Sequence, residues 1–87
     1  MMIDEEGRRY CVWSVVDYSH MRVQVVEYSD GEIEFMVFDM RKTPDATYTS
    51  SESAAYISRD SHGSEGSAML HGLEWARDNY YGTNEVR

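Results

Sequence analysis

The chain predicts an α+β fold: a three-stranded antiparallel sheet, or a four-stranded one, with a C-terminal helix packed on one face. Three observations carry this. Stretches 9–18, 21–28 and 32–39 are rich in β-branched and aromatic residues and alternate in polarity. The gaps between them are too short for a parallel crossover, which needs a dozen residues or more. Helical periodicity is confined to the last quarter of the chain. The length of 87 residues allows one domain, 1–87, with 1–7 and 83–87 expected to be flexible tails.

The first strand contains Tyr10, Val12, Trp13, Val15, Val16 and Tyr18. A two-residue turn at Ser19-His20 would pair Tyr18 with Met21, Asp17 with Arg22 and Val16 with Val23. Neither turn residue is Gly, Asn or Asp, so its chemistry is poor. In the second hairpin, Ser29-Asp30-Gly31 suits a three-residue loop whose last position is left-handed. That loop sets Tyr28 opposite Glu32, Val25 opposite Phe35 and Val23 opposite Val37. A two-residue turn on Asp30-Gly31 would instead oppose Glu27 and Glu34, a destabilising like-charge pair.

Thr43-Pro44 ends the third strand, because proline cannot donate to a ladder. Beyond it the sequence leaves two readings. Thr49-Ser50-Ser51-Glu52 fits a capping box, opening a short helix from Ser50 to about Arg59. The alternative is a fourth strand from Tyr48 to Ile57. Residues 60–66 read as a loop. The last helix begins near Ser64 to Ser67 and ends at Gly82, with Met69, Leu73, Ala76 and Tyr80 as its apolar stripe and Leu70 beside them. Gly72 within it is expected to allow close approach to the sheet, at roughly 1 kcal/mol of helix propensity.

Composition excludes several function classes. Sixteen acids against eight bases give a formal charge of −8, the wrong sign for direct nucleic-acid binding or an anionic membrane surface. A single cysteine permits no intrachain disulfide, and a reducing, cytoplasmic compartment is expected. No apolar run is long enough to span a bilayer, and the first seven residues lack the pattern of a signal peptide.

Catalytic and metal chemistry find little support. Ser61-His62 are sequence neighbours in a Gly/Ser loop without a nucleophile elbow, which fits a solvated loop. Cys11 has no local histidine and reads as a small, semi-buried strand residue. His71 and Glu74 are three apart on the helix, but a surface histidine near a glutamate is the commoner reading, and one cysteine cannot build a cysteine-rich zinc centre. The loop before the helix lacks the lysine of a P-loop, and Glu65 sits where a phosphate would bind. No enzyme, cofactor or metal site is expected.

Two features remain. Glu27, Asp30, Glu32, Glu34 and Asp39 form a run of acids with no base among them. On a strand, Glu32 and Glu34 project from one face about 7 Å apart. Such a row could imitate backbone phosphates and occupy a basic groove. The competing reading is a solvated face that guards an edge strand. The second feature is the sheet face away from the helix, to which alternation assigns Trp13, Val15, Val26, Tyr28, Met36 and Phe38. That much apolar area is either covered by the 45–60 segment or an interface, for instance in a homodimer.

In type, the chain resembles the small acidic proteins with which bacteriophages block host defence, namely anti-CRISPR and DNA-mimic anti-restriction proteins. The resemblance rests on the size, the charge of −8, the Glu27 to Asp39 acids and the aromatics Trp13, Tyr28, Tyr48, Tyr80 and Tyr81. It implies a stoichiometric inhibitor that binds a basic nucleic-acid surface of a CRISPR effector and excludes DNA. Glu27, Asp30, Glu32, Glu34 and Asp39 would meet arginines and lysines of that partner, with Trp13 and Tyr28 as apolar anchors. The alternative expectation is a structural or adaptor domain that dimerises through its apolar sheet face.

Overall fold

The computed structural model describes residues 2–4, 6–42 and 54–79. Five strands form one sheet in the order β1-β2-β3-β4-β5: β1 (Met2–Ile3), β2 (Arg9–Tyr18), β3 (Met21–Tyr28), β4 (Ile33–Asp39) and β5 (Tyr56–Ile57). Every neighbouring pair is antiparallel. The sheet curls into a half-barrel, and α1 (Glu65–Asp78) packs on one face. The α+β class is as expected; the sheet has five strands rather than three or four.

Both hairpins take the registers read from the sequence. Tyr18 pairs with Met21 and Val16 with Val23, and Ser19 adopts φ 57° to make the tight turn that its side chain disfavours. At the second hairpin Gly31 sits at φ 91°, with its amide donating to the Tyr28 carbonyl at 2.9 Å. Val25 opposes Phe35 and Val23 opposes Val37. The odd-numbered residues of β3 and β4 therefore meet the helix, and Met21, Val23, Val25, Phe35 and Val37 pack with Ala68 and Ala76.

Four expectations need correction. Residues 2–4 are not a tail: β1 pairs with β2, and buried Asp4 accepts the amides of Glu6 and Arg8 at 2.9 Å each. The short helix expected over 50–59 is absent from its described part, 54–59. There Tyr56 and Ile57 pair with Val37 and Met36, so the strand reading holds for those two residues. A β-branched and an aromatic residue beside an open sheet edge favour the ladder over a helical turn. The capping box at 49–52 lies outside the described residues. In α1, Ser64 is the N-cap, its side chain accepting the Ser67 amide at 3.1 Å, but Asn79 caps the C-terminus, ahead of the expected Gly82. Cys11 is exposed rather than semi-buried.

The second sheet face is interior. Val26, Met36 and Phe38 are 0% exposed and Tyr28 is 2% exposed. They form a second core with Tyr10, against which Met2, Val12, Met40, Ala54 and Ile57 pack. Curling brings both ends of the sheet toward this face, so a single chain buries it. It does not offer the broad apolar surface that dimerisation through this face would need.

Trp13 does not join this core. A register shift between Val12 and Ser14 places an extra residue in β2. Past such a bulge the side chains exchange faces, so Trp13 leaves the inner face while Val15 stays on it.

Candidate functional site

The five acids of the 27–39 run do not share one environment: Glu34 and Asp39 are buried, Glu27 is half-buried, and Asp30 and Glu32 are exposed. Glu34 shares its face with Met36 and Phe38, so the fold that buries those residues draws Glu34 in, to 2% exposure. Arg8, just before β2, lies 3.6 Å from Glu34 and 3.5 Å from Asp30, and its guanidinium stacks 3.7 Å from the Tyr28 ring centroid. Asp39 is buried and receives Arg41 on both oxygens, at 3.0 and 2.9 Å. Glu27 accepts the Trp13 Nε1–H at 2.6 Å. Asp30 also turns back to accept the Glu32 amide at 3.1 Å. Of the five, Glu32 is exposed and makes no ion pair among the described residues.

The expected carboxylate row is thus not a free array. The chain's own arginines hold Asp30, Glu34 and Asp39, and the expected anchor Tyr28 is interior. Trp13 remains accessible at 54% exposure. Sequence reading missed Arg8 and Arg41 as internal partners. The Asp39-Met40-Arg41 spacing carried a signal, since an aspartate at a strand end commonly bonds the backbone two residues on, as Asp39 does to the Arg41 amide at 3.0 Å.

Two of these carboxylates respond to pH with opposite sign. Burial pushes the Glu34 carboxyl above its ordinary 4.5, and Arg8 and Arg59 only partly offset this. The folded chain keeps that proton where the unfolded chain has lost it. Stability therefore falls as pH rises through the window above 4.5, and the loss is complete above the folded value. Asp39 goes the other way: its bonds from Arg41 hold it below its ordinary 3.8, and its contribution is lost only as pH falls through the lowered value. Glu34→Gln is expected to raise the melting temperature at neutral pH, because a neutral isostere avoids a buried charge that has one oxygen unpartnered. The gain should vanish below pH 4.5, where both states hold the proton. Thermal melts across that range check this.

A different acidic surface lies between β5 and α1. Phe35, Tyr56 and Trp75 floor a groove of about 270 Å³, whose walls include Asp60, His62, His71, Glu74 and Asp78. Its lining contains three acids and no lysine or arginine. The Tyr56 and Trp75 rings stack at 4.6 Å with 15° between planes. His62 and His71 stack at 5.0 Å, and His62 also packs on Phe35 at 5.6 Å. His71 Nδ1 lies 2.9 Å from the Ser67 carbonyl, to which it donates. Burial, and then His71, hold the His62 pKa below its ordinary 6.5. Asp60 and Glu74 make no ion pair among the described residues, whereas Asp78 meets Arg77 at 3.1 Å on the open surface.

Sequence spacing alone does not bring His62, His71 and Glu74 together, because the groove joins a strand, a loop and a helix. Ser61 Oγ accepts the Ile33 amide at 3.3 Å and the His62 amide donates to the Ile33 carbonyl at 2.8 Å. These bonds tie the loop to β4 and set His62 against the helix. Among the described residues no group of three or more His, Cys, Asp or Glu side chains could hold a metal ion. No helix among them is long and apolar enough to cross a membrane. No family model, no curated protein and no solved structure matches the chain.

Proposed function

We propose that the protein is a non-enzymatic, acidic binding domain of the inhibitor type, which engages a basic surface of another protein through the groove between β5 and α1. One observation carries this reading: three acids surround an aromatic floor, with no lysine or arginine in a lining that also holds His62 and His71. A planar guanidinium or an alkylammonium gains from both components, by stacking on a ring face and by pairing with a carboxylate. A cavity of about 270 Å³ suits one long side chain. It falls below the ~300 Å³ at which small-molecule sites begin. The charge of −8 adds long-range attraction to a basic partner. The narrower target is the DNA-binding channel of a CRISPR effector. The contact acids are then Asp60 and Glu74, rather than the row that the sequence suggested.

The chain has two tryptophans, so Trp13→Phe leaves Trp75 as a reporter inside the groove. An arginine-rich peptide is expected to change Trp75 emission in that protein, and added salt should weaken the response. Asp60→Lys with Glu74→Lys should reduce affinity by about tenfold or more, since two attractive contacts become repulsive. An equal affinity in the reversed variant would remove the groove from the account. For the narrower target, stoichiometric protein should lift DNA from an effector in a mobility-shift assay, and the reversed variant should fail to do so.

A further inference from the structure

Among the described residues, β2 has an edge stretch that no strand of the sheet covers. β1 covers β2 only at Arg9 and Tyr10, and the bulge at Trp13 interrupts the strand beyond them. From Ser14 to Tyr18 the outer side of β2 meets no strand among the described residues. The direction of its backbone groups follows from the ladder. The Ser29 amide donates to the Arg9 carbonyl, and the Tyr28 amide donates to the Glu32 carbonyl. Odd residues of β3 therefore bond toward β2 and even ones toward β4. Ser14, Val16 and Tyr18 oppose odd residues, so they bond inward. Val15 and Asp17 oppose Gln24 and Arg22, so their amide and carbonyl groups face the open edge.

The side chains of this stretch are those of an interface. Val15 is 41% exposed, Val16 39% and Tyr18 42%, and Leu70 of α1 is 56% exposed. Tyr18, Leu70 and Leu73 line one shallow depression. Natural edges are commonly guarded by an unpaired charge or a proline. Here the charged residue of the stretch, Asp17, is bonded by Arg22 at 2.7 and 3.1 Å, so the strand carries no unpaired acid.

We propose that this edge pairs with the same edge of a second copy of the chain, antiparallel about a two-fold axis at Val16. The register is self-complementary. Val15 and Asp17 of one copy face Asp17 and Val15 of the other, so the outward groups meet in hydrogen-bonded pairs. Val16 meets Val16 at the close, non-hydrogen-bonded spacing of about 4.5 Å between Cα atoms. Tyr18 lies opposite Ser14, with Leu70 beside it. The two five-stranded sheets become one of ten. Because Asp17 is neutralised locally, two chains of charge −8 can touch here although they repel at a distance. Five residues of edge make a small contact, under the ~1,200 Å² of a standard interface, so the dimer is weak and concentration-dependent. This surface is separate from the groove and does not rest on the function proposed for it.

Sedimentation of the full chain from about 10 µM to about 1 mM reads the equilibrium. A rising mass that approaches two chains, and that rises further with added salt as repulsion is screened, is the expected result. Val15→Pro removes an outward amide that β3 does not use, a substitution edge strands tolerate. It should return the mass to one chain with the circular dichroism spectrum unchanged. If Val15→Pro fails to fold, Val15→Lys serves the same purpose. In a Cys11→Ser background, Val16→Cys should form a disulfide dimer, because its Cα spacing falls within the bridging range. Lys42→Cys, also exposed, should not keep pace with it. Monomer at every concentration, or equal crosslinking of the two cysteine variants, would overturn the proposal.

Discussion

Replacing Phe38 by alanine is expected to destabilise the domain by about 3–5 kcal/mol, the cost of emptying a fully buried aromatic position. Phe38 is 0% exposed and belongs to the core on the concave face of the sheet. A chain of this length has a total stability of roughly 4–13 kcal/mol, so the loss removes a large part of it. At about 4–8 °C per kcal/mol, the melting temperature should fall by roughly 12 °C or more. The same substitution discriminates two views of this face. Were the face a docking surface open in the free chain, Phe38→Ala would leave the melt unchanged and alter association alone. Met36, equally buried, should behave like Phe38.

Enlarging Gly72 is the second strong effect. This glycine lies in the middle of α1, where helix propensity alone favours alanine by about 1 kcal/mol. Yet a Cβ there would press into Val23 Cγ1 and come within 3.1 Å of the Phe35 ring. Val23 is β-branched and held in its rotamer, so it has little freedom to move aside. Either the helix lifts from the sheet or the core strains, at about 1–3 kcal/mol for alanine, a cost larger than the propensity gain. Valine should cost more, because it adds two methyl groups at the same contact. A double-mutant cycle isolates the cause: with Val23→Ala in place, Gly72→Ala should cost markedly less than it does alone. Denaturant melts of the four proteins read the coupling. Simple additivity would mean that the close packing is not the source.

The contrast between these two positions shows what the sequence carried. Gly72 and the odd-numbered stripe of β3 and β4 were legible, because alternation fixes the faces and the Ser29-Asp30-Gly31 loop fixes the register. The fate of the other face was not. Alternation says that Tyr28, Met36 and Phe38 point together; it does not say that the sheet curls and closes over them. The acids misled for the same reason. Glu34 stands two residues from Glu32, on the same face by alternation, but Glu32 is exposed and Glu34 is buried. Arg8 falls outside the acid run, and a search for base-free stretches passes over it. The bulge at Trp13 left no mark in the residue types, so Trp13 was assigned to the inner face. The groove was the least visible feature. Tyr56, Asp60, His62 and Glu74 are scattered over 19 positions and meet only because β5 pairs with β4 and α1 crosses the sheet.

The central claim is that Glu34 and Asp39 are buried and held by the chain's own arginines, and so serve the fold rather than standing open to solvent. Its most direct test is a residue-resolved titration of the side-chain carboxyls by nuclear magnetic resonance. Glu34 is expected to release its proton above 4.5 and Asp39 below 3.8, the first from burial and the second from the Arg41 bonds. In the Arg8→Ala protein, Glu34 should climb further, since the cation that offsets its burial is gone. Glu34 and Asp39 titrating together at ordinary values, indifferent to Arg8, would contradict the account and return both carboxylates to the solvent.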